Sequence, residues 1–225
     1  MSKPALHELL DTERSAWPLL QSWLRDAGNP VEVLPPSDPD RSEALVATRV
    51  TTRSPMGALI YETGGLLVDH GWLRMLGSGH PRLPRSLPGW NLGRSWSDHD
   101  ATPPFLLIAD DVVGGFFAIN GGPLGEERGN IYYFAPDSLS WETTGAGYSD
   151  FLNWCLSGEL EGFYQDYRWP GWRKEVQALA GDQGWDIYPP PCTKGPPFGE
   201  RHRGIVPLDE LYRLYVEVPD CPRAD

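Results

Sequence analysis

The stretch that decides the fold is FLLIADDVVGGFFAINGG at residues 105–122, continued by IYYFAPDSLSWE at 131–142 and YSDFLNWCLSG at 148–158. Two continuous apolar runs, 105–109 and 116–119, are typical of strands that are buried on both faces. Residues 131–134 predict a third strand. The apolar positions that follow predict an amphipathic helix, with Ser149 or Asp150 as its cap.

Working outward, the pattern predicts an α+β domain. Apolar residues spaced by three, four and seven between Leu6 and Leu24 predict an N-terminal helical region, bent near Pro18. The runs 57–61 and 66–69 predict a hairpin around Thr63-Gly64-Gly65, because glycine allows a tight turn. Over 44–50 we favour a helix that runs into a strand, and apolar positions after Gly158 predict further short helices.

We therefore expect a single α+β domain over residues 1–225, with a polar tail from about 217. Its central sheet should be mostly antiparallel, with about five or six strands. The N-terminal and C-terminal helices should pack on this sheet.

The formal net charge of −12 indicates the class of partner. An acidic field disfavours nucleic-acid phosphates and anionic lipid, and it favours basic partners through electrostatic steering. No uncharged apolar stretch reaches the roughly 18 residues of a membrane span, and the N-terminus does not read as a signal peptide. We expect a soluble protein that does not bind membranes or nucleic acids.

The cysteines Cys155, Cys192 and Cys221 are odd in number and show no CxxC spacing. This pattern suggests neither a disulfide framework nor a zinc site. We therefore expect a reducing, cytoplasmic location and no metal or other cofactor.

One group of titratable residues could assemble an acid/base or metal site across loops. Its members are Asp69, His70, His80, His99, Asp110 and Asp111. Their spacing matches no metal motif, and the two adjacent aspartates also suit an ordinary turn. No GxSxG, GxGxxG or P-loop motif accompanies them. An enzyme or metal-binding protein using Asp69, His70, His80, Asp110 or Asp111 is the alternative hypothesis.

A second group of residues could contact a protein partner. Tryptophans often anchor interfaces, and acidic residues steer basic partners. The candidates are Trp90, Trp96, Trp141, Glu126 and Glu127. Trp90 and Trp96 belong to the long segment 77–104, and segments of that length without regular structure are commonly functional or mobile. The other interpretation is that the tryptophans cover sheet edges and helices.

The segments VTTRSPMGALIYETGGLLVDHGWLRMLGSGH (50–80) and LLIADDVVGGFFAINGGPLGEERGNIYYFAPDSLSWETTGAGYSDFLNW (106–154) carry a family resemblance. They are similar to an uncharacterised bacterial domain-of-unknown-function family. The LPP after the N-terminal helix, FYQDYRWPGW and YPPPCTK extend the resemblance over most of the chain. That family implies no established activity.

A more distant resemblance is to the SUKH superfamily of immunity-type α+β proteins. It depends on the order of strand, NGG turn, strand, Trp141-Glu142 and the helix start Tyr148-Ser149-Asp150-Phe151-Leu152. Residues 77–104 and those after Tyr167 depart from the superfamily pattern. The resemblance implies a SUKH-like fold and a noncatalytic module that binds and neutralises a toxin domain. The charge of −12 would suit a basic, nuclease-like target.

Overall fold

The computed structural model describes residues 4–97 and 102–217. Its centre is a seven-stranded sheet in which the strands follow one another in chain order, accompanied by a separate two-stranded sheet. Every pairing is antiparallel, which confirms the α+β prediction; the main sheet is slightly larger than expected. The strands are β1 Val31–Leu34, β2 Gly65–Val68, β3 Leu73–Leu76, β4 Phe105–Asp111, β5 Phe116–Asn120, β6 Ile131–Ala135, β7 Ser140–Thr143, β8 Gln183–Tyr188 and β9 His202–Pro207.

Short helices precede, interrupt and follow the sheet. They are α1 Leu6–Leu9, α2 Trp17–Arg25, α3 Asp40–Thr48, α4 Pro55–Glu62, α5 Leu87–Asn91, α6 Tyr148–Ser157, α7 Leu160–Phe163, α8 Trp172–Gln177 and α9 Leu208–Tyr212. His99, Cys221 and the polar end expected after about residue 217 lie outside the described residues.

The central strands are buried on both faces, as their apolar runs predict. Neighbouring side chains of a strand point to opposite faces, so Phe116 and Phe117 meet different helices. Phe117 contacts Phe151 of α6, with ring centroids 4.8 Å apart. Phe116 contacts Tyr212 of α9 at 5.1 Å. Helices therefore cover the two faces of the sheet, and each face has its own set of contacts.

The hairpin predicted for 57–69 is wrong in its first half. Residues 57–61 belong to helix α4, whose N-cap Ser54 accepts a hydrogen bond from the Gly57 N–H at 3.1 Å. Pro55 occupies the first helical turn, where its missing N–H costs nothing. The N-cap and the proline favour a helix at this position. Periodicity alone could not distinguish this apolar run from a strand. The hairpin in this region instead joins β2 to β3.

Other boundaries also differ from the sequence predictions. Helix α3 ends at Thr48, its C-cap Arg49 adopts a left-handed φ of 56°, and no strand lies between it and α4. Pro18 lies in the first turn of α2 and does not bend a longer helix. The N-cap of α6 is Gly147, and neither Ser149 nor Asp150 takes that position. Strands β7, β8 and β9 were not predicted, because most of their residues are not buried and none of the three carries a continuous apolar run.

The described part of the segment 77–104 is folded and partly buried. Helix α5 starts at the N-cap Ser86, whose hydroxyl accepts a hydrogen bond from the Gly89 N–H. The fully buried Asn91 amide donates to the Leu107 carbonyl of β4 at 2.8 Å. This segment is therefore a packed layer on the sheet over the residues that the structure describes.

The helices and the cysteines bear on the predictions about membranes and compartment. Within 4–97 and 102–217, none of the helices combines the length and apolarity needed to cross a bilayer. Cys155 is free and buried, whereas Cys192 is disulfide-bonded. The cysteine argument for a reducing compartment therefore does not extend to Cys192.

The N-cap of α4 provides a test of this part of the fold. Ser54→Ala removes the acceptor for the Gly57 N–H, so we expect the free energy of unfolding to fall by about 1 kcal/mol. Urea denaturation measures the change. Ser22→Ala is the control. The Ser22 hydroxyl donates a hydrogen bond to the Leu19 carbonyl within helix α2, so it does not act as an N-cap acceptor. Equal effects of the two substitutions would contradict the role of the cap.

Candidate functional site

The two adjacent aspartates of β4 have different surroundings because they point to opposite faces of the sheet. Asp110 lies opposite Arg74 of β3 in the strand register. Its carboxylate is 2.8 Å from the Arg74 Nε and 2.6 Å from an Arg85 nitrogen, and it is fully buried. Burial lowers the pKa of Arg74, and the Asp110 carboxylate opposes that effect. Asp110 is thus the counterion of two buried arginines.

Asp111 is also fully buried, on the other face of β4. Its Oδ1 accepts hydrogen bonds from the Gly115 and Val113 N–H groups at 2.8 and 3.0 Å. Its Oδ2 accepts one from the Tyr133 hydroxyl at 3.0 Å. Burial raises the pKa of Asp111, and these hydrogen bonds act in the opposite direction. The hydrogen bonds tie the β4–β5 turn to strand β6.

Asp69 and His70 form the turn between β2 and β3, where both adopt positive φ, 48° and 62°. Asp69 pairs with Arg168, whose guanidinium lies 4.2 Å from the ring centroid of Trp172. The His70 Nδ1 is 3.2 Å from the Gln177 amide nitrogen. Arg168 and Gln177 flank α8, so this turn holds the C-terminal helices against the sheet.

His80 lies apart from Asp69 and His70 in a small turn of its own. Its Nδ1 accepts a hydrogen bond from the Arg82 N–H at 3.1 Å, and its backbone bridges to Leu83. Within the part of the chain that the structure describes, no three His, Cys, Asp or Glu residues are placed to hold a metal ion. Each of the five predicted catalytic residues is engaged with other protein groups, and for His80 these lie within its own turn.

Of the predicted contact residues, the tryptophans differ in exposure. Trp90 and Trp96 are only 5% and 4% exposed, which leaves little of either indole for a partner. Trp141 of β7 is partly buried and packs on Phe134 of the neighbouring strand, with centroids 5.4 Å apart. The interpretation that tryptophans cover the sheet and helices accounts for the burial of Trp90 and Trp96.

The two predicted glutamates lie in the exposed β5–β6 connection. Glu127 accepts hydrogen bonds from the Thr143 hydroxyl and from the Asn130 amide. These bonds hold the pKa of Glu127 below its usual range. Glu126 is exposed. The connection thus places acidic side chains beside β7, which is the last strand of the sheet.

A pocket of about 330 Å³ opens next to β7. Aromatic side chains from β5, β6, α6 and α7 form much of its wall, and Glu142, Thr143, Thr144 and Ala146 complete the lining. The aromatic residues are Phe117, Tyr133, Phe151, Trp154 and Phe163. We call these five side chains the aromatic ring set.

The aromatic ring set forms a closed circuit of contacts. Phe117 stacks on Tyr133 at 4.6 Å, and Tyr133 meets Phe163 edge-on at 5.3 Å. Phe163 contacts Trp154 at 5.1 Å, and Trp154 contacts Phe151 at 5.9 Å. The contact between Phe151 and Phe117, at 4.8 Å, closes the circuit. These distances are typical of favourable aromatic pairs.

Glu142 is placed on the pocket by the register of β7. It lies opposite Tyr133, and cross-strand partners share one face of a sheet. Its Oε1 accepts a hydrogen bond from the Ser138 hydroxyl at 2.8 Å. Glu142 is exposed, so a carboxylate stands at the rim of an otherwise aromatic pocket.

Sequence reasoning missed this pocket. Its residues come from two strands, two helices and the unpredicted strand β7, and no local motif joins them. One feature of the sequence points to the pocket, namely the abundance of aromatic residues between 116 and 163. A second pocket, of about 320 Å³, is more polar and includes His70, Arg82, Glu32 and Gln177 in its lining.

Comparison with known proteins identifies the family. The profile described as "Protein of unknown function DUF2625" matches residues 6–211, and the chain belongs to this family. It is 45% identical over 215 residues to "Putative uncharacterized protein YbfG" of Escherichia coli (strain K12), covering 96% of this chain and 97% of that protein.

A relative in Haemophilus influenzae (strain ATCC 51907 / DSM 11121 / KW20 / Rd), named "Uncharacterized protein", is 45% identical over 178 residues. That alignment covers 79% of this chain and 78% of the relative. No solved structure matches the chain significantly. The predicted membership of a domain-of-unknown-function family is confirmed, while the SUKH resemblance stays a prediction.

Asp110 provides a test of the buried ion cluster. Asp110→Asn leaves Arg74 and Arg85 buried without their counterion, so we expect the free energy of unfolding to fall by about 3–5 kcal/mol. Urea denaturation measures it. Glu32→Gln is the control, because it breaks the exposed pair with Arg82 and should cost less than about 1 kcal/mol. Losses of similar size would show that the buried pairs contribute no more than an exposed one.

Asp111 predicts a specific pH dependence. Its pKa is raised above 3.8 in the folded protein, so the folded state binds this proton more tightly than the unfolded chain. The resulting stabilisation is full below pH 3.8 and is lost as the pH rises through the folded pKa. Asp111→Asn removes the titration. Urea denaturation across a pH series should therefore show the variant gaining stability relative to the wild type as the pH rises, and a constant difference would refute this.

Proposed function

We propose that this member of the DUF2625 family is a noncatalytic binding protein that holds a basic protein partner against strand β7 and the adjoining pocket. The role is of immunity type, in which the partner would be a toxin domain neutralised by binding. The observation that carries the proposal is the aromatic pocket with Glu142 at its rim, next to β7, which is the last strand of the sheet in the described part of the chain. Aromatic side chains in a pocket are the usual anchors of protein interfaces.

Charge supports a basic partner. The chain carries a net charge of −12, Glu142 belongs to β7, and Glu127 is hydrogen-bonded to Thr143 of that strand. Complementary charge raises the association rate and discriminates against acidic competitors. The effect is weakened by salt, because screening shortens the range of the field.

The position of β7 supports an extended partner segment. Within the described residues, β7 pairs with β6 along one side and is the last strand of the sheet. An edge strand offers unpaired N–H and C=O groups to which a partner strand can add. A segment bound in this way would lie beside the pocket, so one of its side chains could enter.

The alternative is an enzyme or metal-binding protein that uses Asp69, His70, His80, Asp110 or Asp111. The observation that favours it is the polar pocket lined by His70, Arg82 and Glu32, beside a turn with two positive φ values. Such backbone strain is often found at functional sites. Metal analysis of the purified protein, repeated with His70→Ala, tests this alternative.

A cytoplasmic location belongs to the same proposal. It rests on the cysteines, which are odd in number and show no CxxC spacing. The disulfide at Cys192 is the observation that opposes it, because disulfides persist mainly in oxidising compartments. Cell fractionation of the native host with an antibody to the protein distinguishes the two compartments.

Capture of partners from the native host tests the proposed function. The bait would be the wild type, Glu142→Gln and Glu210→Gln. Both substitutions remove one negative charge, but Glu210 is exposed on α9. We expect a basic protein to be held by the wild type and by Glu210→Gln, and to be held several-fold less by Glu142→Gln, because only Glu142 is at the pocket.

Salt provides the second readout of this experiment. Raising the salt to about 0.5 M should release the partner, because screening weakens the attraction between exposed charges. Failure to capture any basic protein would contradict the proposed function. Equal capture by all three baits would contradict the location of the site.

A further inference from the structure

The chain uses one arrangement repeatedly, in which an arginine lies over aromatic rings and pairs with a carboxylate. Arg168 lies 4.2 Å from the ring centroid of Trp172 and 5.1 Å from that of Trp72, and it pairs with Asp69. Cations are attracted to aromatic faces by the ring quadrupole, and the attraction grows when water is excluded. The carboxylate balances the charge.

Arg94 repeats the arrangement on the other side of the fold. It lies 3.8 Å from the ring centroid of Trp90 and 5.4 Å from that of Tyr212. Asp209 pairs with it. Arg168 and Arg94 are thus two cases in which a cation lies over aromatic rings and pairs with a carboxylate.

The aromatic ring set has the rings and the carboxylate, and it has no internal cation. Glu142 supplies the carboxylate at the rim of the pocket. Among the described residues, no arginine lies over any of the five rings. Phe163 is 42% exposed, so its ring is accessible from solvent. An external cation would complete the arrangement.

The hydrogen-bonding groups of the pocket indicate what kind of cation fits. A primary ammonium has three N–H donors and needs acceptors for them. The Thr144 hydroxyl donates to the Ile131 carbonyl and accepts from the Ala146 N–H. The Thr143 hydroxyl donates to Glu127 and accepts from the Gly145 N–H. Both hydroxyls are therefore engaged, and the pocket offers chiefly aromatic faces and one carboxylate.

We propose that the pocket enclosed by the aromatic ring set and Glu142 binds an alkylated ammonium group, in the form of an N-methylated lysine side chain of the partner. Methyl groups replace the N–H donors that the pocket could not satisfy, while the positive charge remains for the rings and for Glu142. This inference rests on the proposed function and names the chemical group by which the basic partner is held.

The edge position of β7 explains why the group would come from a polypeptide. The Glu142 side chain faces the pocket, and among residues 4–97 and 102–217 no strand pairs with the outer edge of β7. A partner segment added at this edge projects alternate side chains to the two faces of the sheet. A long side chain on the pocket face can place its terminal ammonium over the aromatic ring set.

The test is an NMR titration of the ¹⁵N-labelled full chain with Nα-acetyl-Nε-trimethyl-lysine amide. The indole N–H signal of Trp154, assigned by its loss in Trp154→Phe, reports on the pocket. The comparison ligand is the carba analogue, in which a neutral carbon replaces the quaternary nitrogen and the shape is kept. We expect the charged ligand to bind about tenfold more tightly than the neutral one, because only the charge is attracted to the ring faces.

Three variants locate the binding. Glu142→Gln and Phe163→Leu should each weaken binding of the charged ligand severalfold, by loss of the carboxylate and of one ring face. Glu210→Gln makes the same charge change as Glu142→Gln and should leave the affinity unchanged. The ¹⁵N spectra of the variants establish that each one keeps the fold.

The outcomes separate this inference from the proposed function. Equal binding of the charged and neutral ligands, or no shift of the Trp154 signal with either, would overturn it even if a basic partner is captured through Glu142. Tighter binding of free choline than of trimethyl-lysine would overturn the assignment to a lysine side chain. Selective binding of trimethyl-lysine supports the inference even if capture from the host fails, in which case the proposed function alone is refuted.

Discussion

The burial of two adjacent carboxylates in strand β4 is the constraint on which the rest of the structure depends. A strand sends consecutive side chains to opposite faces, so the carboxylates of Asp110 and Asp111 have different partners. Asp110 recruits Arg74 from the neighbouring strand and Arg85 from the segment before α5. Arg85 in turn donates to the Gly181 carbonyl, ahead of β8. An ion cluster that would be costly if broken therefore fastens the outer layers to one face of the sheet.

On the opposite face, Asp111 organises the floor of the candidate site. Its hydrogen bond from Tyr133 fixes that ring, and Tyr133 stacks on Phe117 and meets Phe163. The aromatic ring set is thus linked to a buried carboxylate through Tyr133. The site combines a rigid, buried floor with an exposed rim on β7, so the rim is free to contact a partner while the floor keeps the rings in place. This division is suited to binding, since preorganised pockets lose less freedom when a ligand enters.

Much of the main sheet could be predicted from local pattern. The apolar runs of β4 and β5 favoured buried strands, and the spacing of Leu6 to Leu24 favoured helices at the N-terminus. The strand predicted at 57–61 was wrong because the apolar run is ambiguous between strand and helix. The N-cap Ser54 and Pro55 favour the helix that forms there. The candidate site was much less predictable. Trp90 and Trp96 were plausible anchors by residue type, yet both are buried, while Phe117, Tyr133 and Phe151 carry no local signal of a shared pocket.

The sequence by itself determined the fold class, the acidic character and the membership of the DUF2625 family, because composition and periodicity act locally along the chain. Only the tertiary structure decided which titratable groups became buried ion pairs and which aromatic rings met around a pocket. The physical reason is register: the pairing of Tyr133 with Glu142 and of Asp110 with Arg74 is set by strand alignment between distant segments. A shift of one residue would have turned each of these side chains to the other face of the sheet.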